Sequence, residues 1–218
     1  MRQLILDLLP EAPPCLANFV AGSNAETLTG LAAWLSESGG EHSLFVWGES
    51  GAGKTHLLRA VGGVYIDAAQ AGGLAEIEDP AARLYAVDNV EALGADEQIA
   101  LFNLFNRLRA AGGKLLTSAQ KPPLALALRE DLRTRLGSGL IYRLQALSDD
   151  EQLAALNAQA AARGLPLPPE ACSYLLARAP RDMRSLSALL AALDRYSLEH
   201  KRPITLPLLR EVLHAPVQ

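Results

Sequence analysis

The 218-residue chain is poor in aromatic residues, at 5%, and carries only two cysteines and two methionines. With so few aromatics in a sequence dominated by Ala and Leu, an all-β sandwich is disfavoured and a helix-rich α/β architecture is expected. Cys15 and Cys172 stand far apart and in no ligand-like spacing, which excludes a disulfide framework or a zinc site. Both read as small buried apolar residues. A basic surplus is missing too: 20 Lys and Arg against 24 Asp and Glu give a net charge of -4 and a pI near 5.6. Proteins that hold nucleic-acid backbone by themselves normally show the opposite balance, so no direct sequence-specific DNA binding is expected. No run approaches the roughly 20 apolar residues that a bilayer requires. Arg2 is followed by Asp7, Pro10 and Glu11 rather than by an apolar leader. The expectation is a soluble, cytoplasmic chain with no membrane partner.

What the chain does contain is half hydrophobic residues, enough to fill an α/β core and a small second domain. Short runs rich in β-formers recur at 44–47, 64–66, 84–87, 115–117 and 141–144, most of them separated by helical stretches. That alternation predicts a parallel sheet with crossover helices. Ile99, Phe102, Leu104, Phe105 and Leu108 give one intervening helix its apolar face, ended by Gly112 and Gly113. After Leu144 no β-rich run follows, and the texture becomes that of a small all-α domain. Ser148 with Glu151 fits a capping box, and Gly164 with Pro166, Pro168 and Pro169 ends the first helix. A second helix is expected over 170–179, a third from a cap at Asp182 to about His200, and a fourth over 206–213 capped by Thr205. The predicted organisation is a tail over 1–9, an α/β domain over 10–146 and a helical domain over 147–218.

Gly48-Glu49-Ser50-Gly51-Ala52-Gly53-Lys54-Thr55 fits the full G-x-x-x-x-G-K-[ST] pattern, directly after a predicted strand and before a helix that continues with His56. Glycines let such a loop turn its N–H groups inward around phosphate oxygens, and the following helix adds its positive end. ATP or ADP with magnesium is the expected ligand: Lys54 reaches the phosphates and Thr55 holds the metal. The strand ending at Asp88 supplies the carboxylate expected on the metal side of this site. The next residue is Asn89, and an amide is a poor substitute for a carboxylate that orients water. Intrinsic hydrolysis is therefore expected to be slow.

Together these motifs resemble the DnaA/Hda family of bacterial AAA+ proteins, and the resemblance extends over nearly the whole chain. Asn18-Phe19-Val20-Ala21-Gly22-Ser23-Asn24 is similar to the family element that cups adenine, and Asp88-Asn89-Val90-Glu91 to the Walker B of its short, Hda-type members. Leu115-Leu116-Thr117-Ser118 with Pro122-Pro123 resembles the sensor 1 strand and loop, although Ala119 stands where the family has aspartate, leaving Ser118 as the nearby polar candidate. Leu132-Arg133-Thr134-Arg135-Leu136-Gly137-Ser138-Gly139 resembles the arginine-finger box, which implies a finger at Arg135 acting in trans. Arg181-Asp182-Met183-Arg184-Ser185-Leu186 resembles the start of the sensor 2 helix, which implies a nucleotide contact from Arg184. The implied nucleotide-binding set is thus Phe19, Val20, Gly48, Gly51, Ala52, Gly53, Lys54, Thr55, His56 and Arg184, with Thr55 and Asp88 as magnesium ligands. Read without the resemblance, Phe19 and Val20 also suit a core, Arg135 a solvated helix end and Arg184 the polar face of its helix.

The tail sequence Gln3-Leu4-Ile5-Leu6-Asp7-Leu8 resembles the peptide by which family members bind the DNA polymerase sliding clamp, implying contacts from Gln3, Leu4, Leu6 and Leu8. The resemblance as a whole implies an AAA+ P-loop module with a helical lid. Such a regulator binds nucleotide and the clamp and stimulates ATP hydrolysis by DnaA, which prevents re-initiation of replication. The competing reading is a stand-alone P-loop ATPase of helicase-loader type, and self-association is left open.

Overall fold

In a computed structural model the described residues are 13–36, 40–70, 74, 77, 83–165, 167–178, 183–200, 204, 205, 207 and 209, without the side chains of Pro169, Arg178, Arg184 and His200. They fall into two compact units that meet in sequence between Ala146 and Leu147.

The first unit is a sheet of five strands, β1 (Ser43–Trp47), β2 (Val64–Asp67), β3 (Leu84–Asp88), β4 (Lys114–Ala119) and β5 (Leu140–Arg143). Their spatial order is β2-β3-β4-β1-β5, and every pairing is parallel. Burial follows position. The central strands β1, β3 and β4 are almost wholly buried, whereas the edge strands β2 and β5 are only partly so. A strand covered on both faces must be apolar throughout, while an edge may keep polar and charged side chains such as Asp67 and Arg143.

Successive side chains point to opposite faces and so feed two cores. Phe45, Tyr85, Val87 and Leu115 join Leu101, Leu104, Phe105 and Leu108 of helix α3 (Ala95–Ala110) and Leu132 and Leu136 of helix α4 (Glu130–Leu136). Leu44, Val46, Ala86 and Leu116 join Leu31 and Trp34 of helix α1 (Ala25–Ser36) and Leu57 and Leu58 of helix α2 (Lys54–Ala60). The face expected for α3 is corrected at one position: Ile99 is 43% exposed and Leu101 fills the core instead. Leu101 precedes Leu104, Phe105 and Leu108 by three, four and seven residues, which is the helical stripe, and Ile99 falls off it. Helix α2 is only seven residues long and stops before Gly62, as its short sequence interval requires. Cys15 is exposed, contrary to expectation, because it caps a short 3-10 turn over Leu16–Asn18 on the surface; Cys172 is buried.

The second unit contains α5 (Asp149–Ala162), α6 (Pro169–Arg178) and α7 (Met183–His200). The capping box is present, with Ser148 Oγ accepting from Glu151 N–H at 3.2 Å and Ser148 N–H donating to Glu151 Oε2 at 2.8 Å. Helix α7 buries Leu186, Leu189, Leu190 and Leu193, and these pack with Leu156, Ala160, Cys172 and Leu175 in a core of their own. The cap at Asp182 lies outside the described residues, as does most of the expected fourth helix, where Leu209 N–H donates to Thr205 C=O at 3.0 Å.

Candidate functional site

The carboxyl ends of parallel strands are where an open α/β sheet leaves a crevice, and here the loop after β1 crosses that end to reach α2. Gly51 and Gly53 sit at φ 83° and 93°, a region that disfavours any side chain. A Cβ on Gly53 would also lie 2.7 Å from the Phe19 ring. The cradle is therefore shaped by glycine at both positions. Phe19 meets the His56 ring edge-on with centroids 5.5 Å apart, and His56 Nε2 lies 3.2 Å from the Cys15 carbonyl. These contacts hold the chain before α1 against the start of α2. Val20 is partly buried beside Phe19.

Lys54 is only 8% exposed and folds back on its own loop, donating to the carbonyls of Gly48 at 2.7 Å and Glu49 at 2.9 Å. Burial pushes its ammonium below the usual lysine range, and the carboxylates of Asp88 and Glu91 partly oppose that shift. A phosphate brought to this loop would add negative charge where the buried cation needs it. The cradle, the buried cation and the helix start thus fit a nucleotide phosphate.

Asp88 is fully buried at the end of β3 and receives four hydrogen bonds. Thr55 Oγ1 at 2.6 Å and the Tyr65 hydroxyl at 3.0 Å donate to Oδ2. Ser118 Oγ and the Asn89 N–H, the latter at 3.2 Å, donate to Oδ1. Among the described residues no group of three or more His, Cys, Asp or Glu could enclose a metal. One hydroxyl and one carboxylate suit magnesium, which keeps several waters and takes its other ligands from phosphate. Thr55 and Asp88 would hold it, and it would supply charge neutralisation at the phosphates.

Asn89 is the single non-glycine residue with positive φ, at 57°, among the described residues. Its Nδ2 donates to Asp67 Oδ1 at 2.9 Å across the β2–β3 register, in which Asp67 pairs with Asp88. Asparagine tolerates the left-handed region better than most residues, so identity and conformation agree. Ser118, the polar candidate on β4, is spent on Asp88 and lies wholly buried.

The structure thus gathers Phe19, Gly48, Gly51, Ala52, Gly53, Lys54, Thr55, His56 and Asp88 at the carboxyl ends of β1 and β3. It leaves Arg135 elsewhere, half-buried on α4 with its guanidinium 6.0 Å from the ring centres of both Phe102 and Phe105. Arg135 and Phe102 line a shallow groove with Arg129, Glu130, Asp131 and Thr134. Arg184 lies in α7 of the other unit with its side chain outside the described residues, and Gln3, Leu4, Leu6 and Leu8 are outside them entirely. Tyr65 and Asp67 escaped the sequence reading because only the β2–β3 register carries them to Asp88 and Asn89. No motif spacing marks them.

Two family models match the chain: the bacterial DnaA ATPase domain over residues 14–74 and the Hda lid domain over residues 149–213. The chain belongs to the DnaA/Hda family of AAA+ proteins. Solved structures agree in fold. Domain III of the Thermotoga maritima replication initiation protein DnaA matches 95% of this chain and all of its own length at 20% identity, with a TM-score of 0.73. A replication initiator DnaA bound to AMPPCP and single-stranded DNA matches at 22% identity and TM-score 0.69, over 89% of this chain and 69% of its own. Thermotoga maritima RuvB matches at 17% identity and TM-score 0.67, over 94% of this chain and 72% of its own. The DnaA/Hda family assignment fits the parallel sheet of the first unit and the helices of the second. Among the described residues no helix is long and apolar enough to cross a membrane.

Proposed function

We propose that this member of the DnaA/Hda family is a nucleotide-binding regulator of replication initiation that activates hydrolysis in a second ATPase rather than turning over its own nucleotide. The observation that carries this reading is Asn89. The phosphate loop and Asp88 are intact, yet the position after Asp88 holds an amide whose Nδ2 is committed to Asp67. A group that cannot accept a proton from water is a poor base, so ATP or ADP would be retained as a structural ligand with magnesium at Thr55 and Asp88.

The second ATPase is DnaA in its ATP form, and the group presented to it is Arg135. A guanidinium stays charged and can bridge several phosphoryl oxygens as charge spreads in the transition state. Gln3, Leu4, Leu6 and Leu8 bring the protein to the DNA-loaded sliding clamp in the cytoplasm, and Arg184 is the further nucleotide contact that the family resemblance implies. Support comes from the family assignment and from the tail sequence. The test is hydrolysis by ATP-loaded DnaA with clamp on DNA and either the parent protein or Arg135→Ala. Loss of stimulation with normal nucleotide and clamp binding is expected, and Arg135→Lys should rescue little because it lacks the planar fork. Full stimulation by Arg135→Ala would move the finger to Arg133 or Arg129, or end the mechanism.

A further inference from the structure

Asp88 has two carboxylate oxygens and so about four acceptor sites. All four are filled, by Thr55 and Tyr65 on Oδ2 and by Ser118 and the Asn89 N–H on Oδ1. Three of these donors sit where the metal site wants them or cannot leave. Thr55 can keep its proton on Asp88 while its oxygen lone pair meets a cation. The Asn89 N–H is backbone, and Ser118 is fully buried on a central strand.

Tyr65 differs from them. It stands on the edge strand β2, is only partly buried, and its ring is covered by the exposed guanidinium of Arg59, 4.6 Å from the ring centre. A carboxylate that holds magnesium through a metal-bound water must offer that water an acceptor. The phenol stands on the acceptor that would serve.

We propose that Tyr65 competes with metal-bound water for Asp88 Oδ2, and so makes nucleotide binding by this protein less dependent on magnesium than an open carboxylate would. The inference rests on the nucleotide reading above and deepens it. Tyr65 is a positioning residue that acts through Asp88.

The test is the ADP dissociation constant of the full chain in excess magnesium and in EDTA, for the parent, Tyr65→Phe and Arg59→Ala. Phe keeps the ring and the Arg59 stack and removes only the hydroxyl. The ratio of the constant in EDTA to that in magnesium should rise about three- to tenfold in Tyr65→Phe, the range of one net hydrogen bond. Arg59→Ala keeps the hydroxyl but frees the ring, so its ratio should rise less. A merely structural role would weaken both constants together and leave the ratio alone. An unchanged or smaller ratio in Tyr65→Phe, or a rise in neither variant, overturns the proposal with the nucleotide site intact. A parent protein that binds no ADP in either buffer would instead remove the nucleotide reading and this inference with it.

Discussion

At the strand ends of the sheet unit charge is buried and hydrogen-bonded, whereas on and beside α4 it lies at the surface. Lys54 and Asp88 are sealed in the first region, each with its hydrogen bonds made inside the unit. Arg129, just before α4, pairs with Asp131 at 2.8 Å with both side chains exposed, and Arg135 on α4 rests against two aromatic rings. Buried groups of this kind are preorganised for a ligand that comes inside. Lifting Arg135 from the Phe102 and Phe105 rings toward another molecule would give up cation–π contacts of about 0.5–1 kcal/mol, a small cost. That difference is what the proposed roles require, retention of a ligand at one region and action on a partner at the other.

The contrast is sharpest in Arg135→Ala, which should lower stimulated DnaA hydrolysis by roughly 10³ to 10⁵ while leaving ADP affinity unchanged by calorimetry. A matching loss of ADP affinity would erase the division between the regions. Lys54→Ala should do the reverse, weakening ADP about ten- to a hundredfold, as expected for charge-assisted bonds to phosphate. Binding as tight as the parent's would leave the glycine loop without a ligand.

Asn89→Glu tests whether the amide alone silences turnover. It sets a second carboxylate beside Asp67 and loses the bond between their side chains, so hydrolysis by the isolated chain should stay slow and unfolding should show a loss of about 1–3 kcal/mol. Rapid turnover would mean that Asn89 is the single missing part.

The smallest effect concerns the cysteines. Burial pushes the Cys172 thiol above its ordinary value, and Cys15 is exposed. A thiol whose folded value is raised adds stability that is present below its ordinary value and is lost as pH rises through the raised one. At pH 8 alkylation should label Cys15 and spare Cys172, with Cys172 reacting only in denaturant. Equal labelling of both in the folded protein would show that the helical core opens readily.

Much of this was legible in the sequence, for physical reasons that differ by element. The five strands announce themselves because central strands must be apolar throughout, as the run from Leu44 to Val46 is. The phosphate loop is legible because Gly51 and Gly53 are needed for backbone conformations that other residues rarely adopt. Ile99 misled because a helix face is set by phase, and two positions of error turn a buried residue outward. Cys15 misled because a residue type carries an average burial, not the burial of its turn. Tyr65 and Asp67 were invisible because parallel register, which pairs Asp67 with Asp88, is fixed by packing of the whole sheet. The roles proposed for Arg135 and for the tail rest on resemblance, since one arginine on a surface helix looks like another until a partner is present.

The central claim is tested most directly by phosphate release from a mixture of purified ATP-loaded DnaA, this protein with nucleotide, and clamp on DNA, with each component omitted in turn. Release should collapse when the protein or the loaded clamp is left out, and the protein alone should give almost none. Rapid release by the isolated protein, abolished by Asp88→Ala and indifferent to DnaA, would contradict it and mark the chain as an ATPase in its own right.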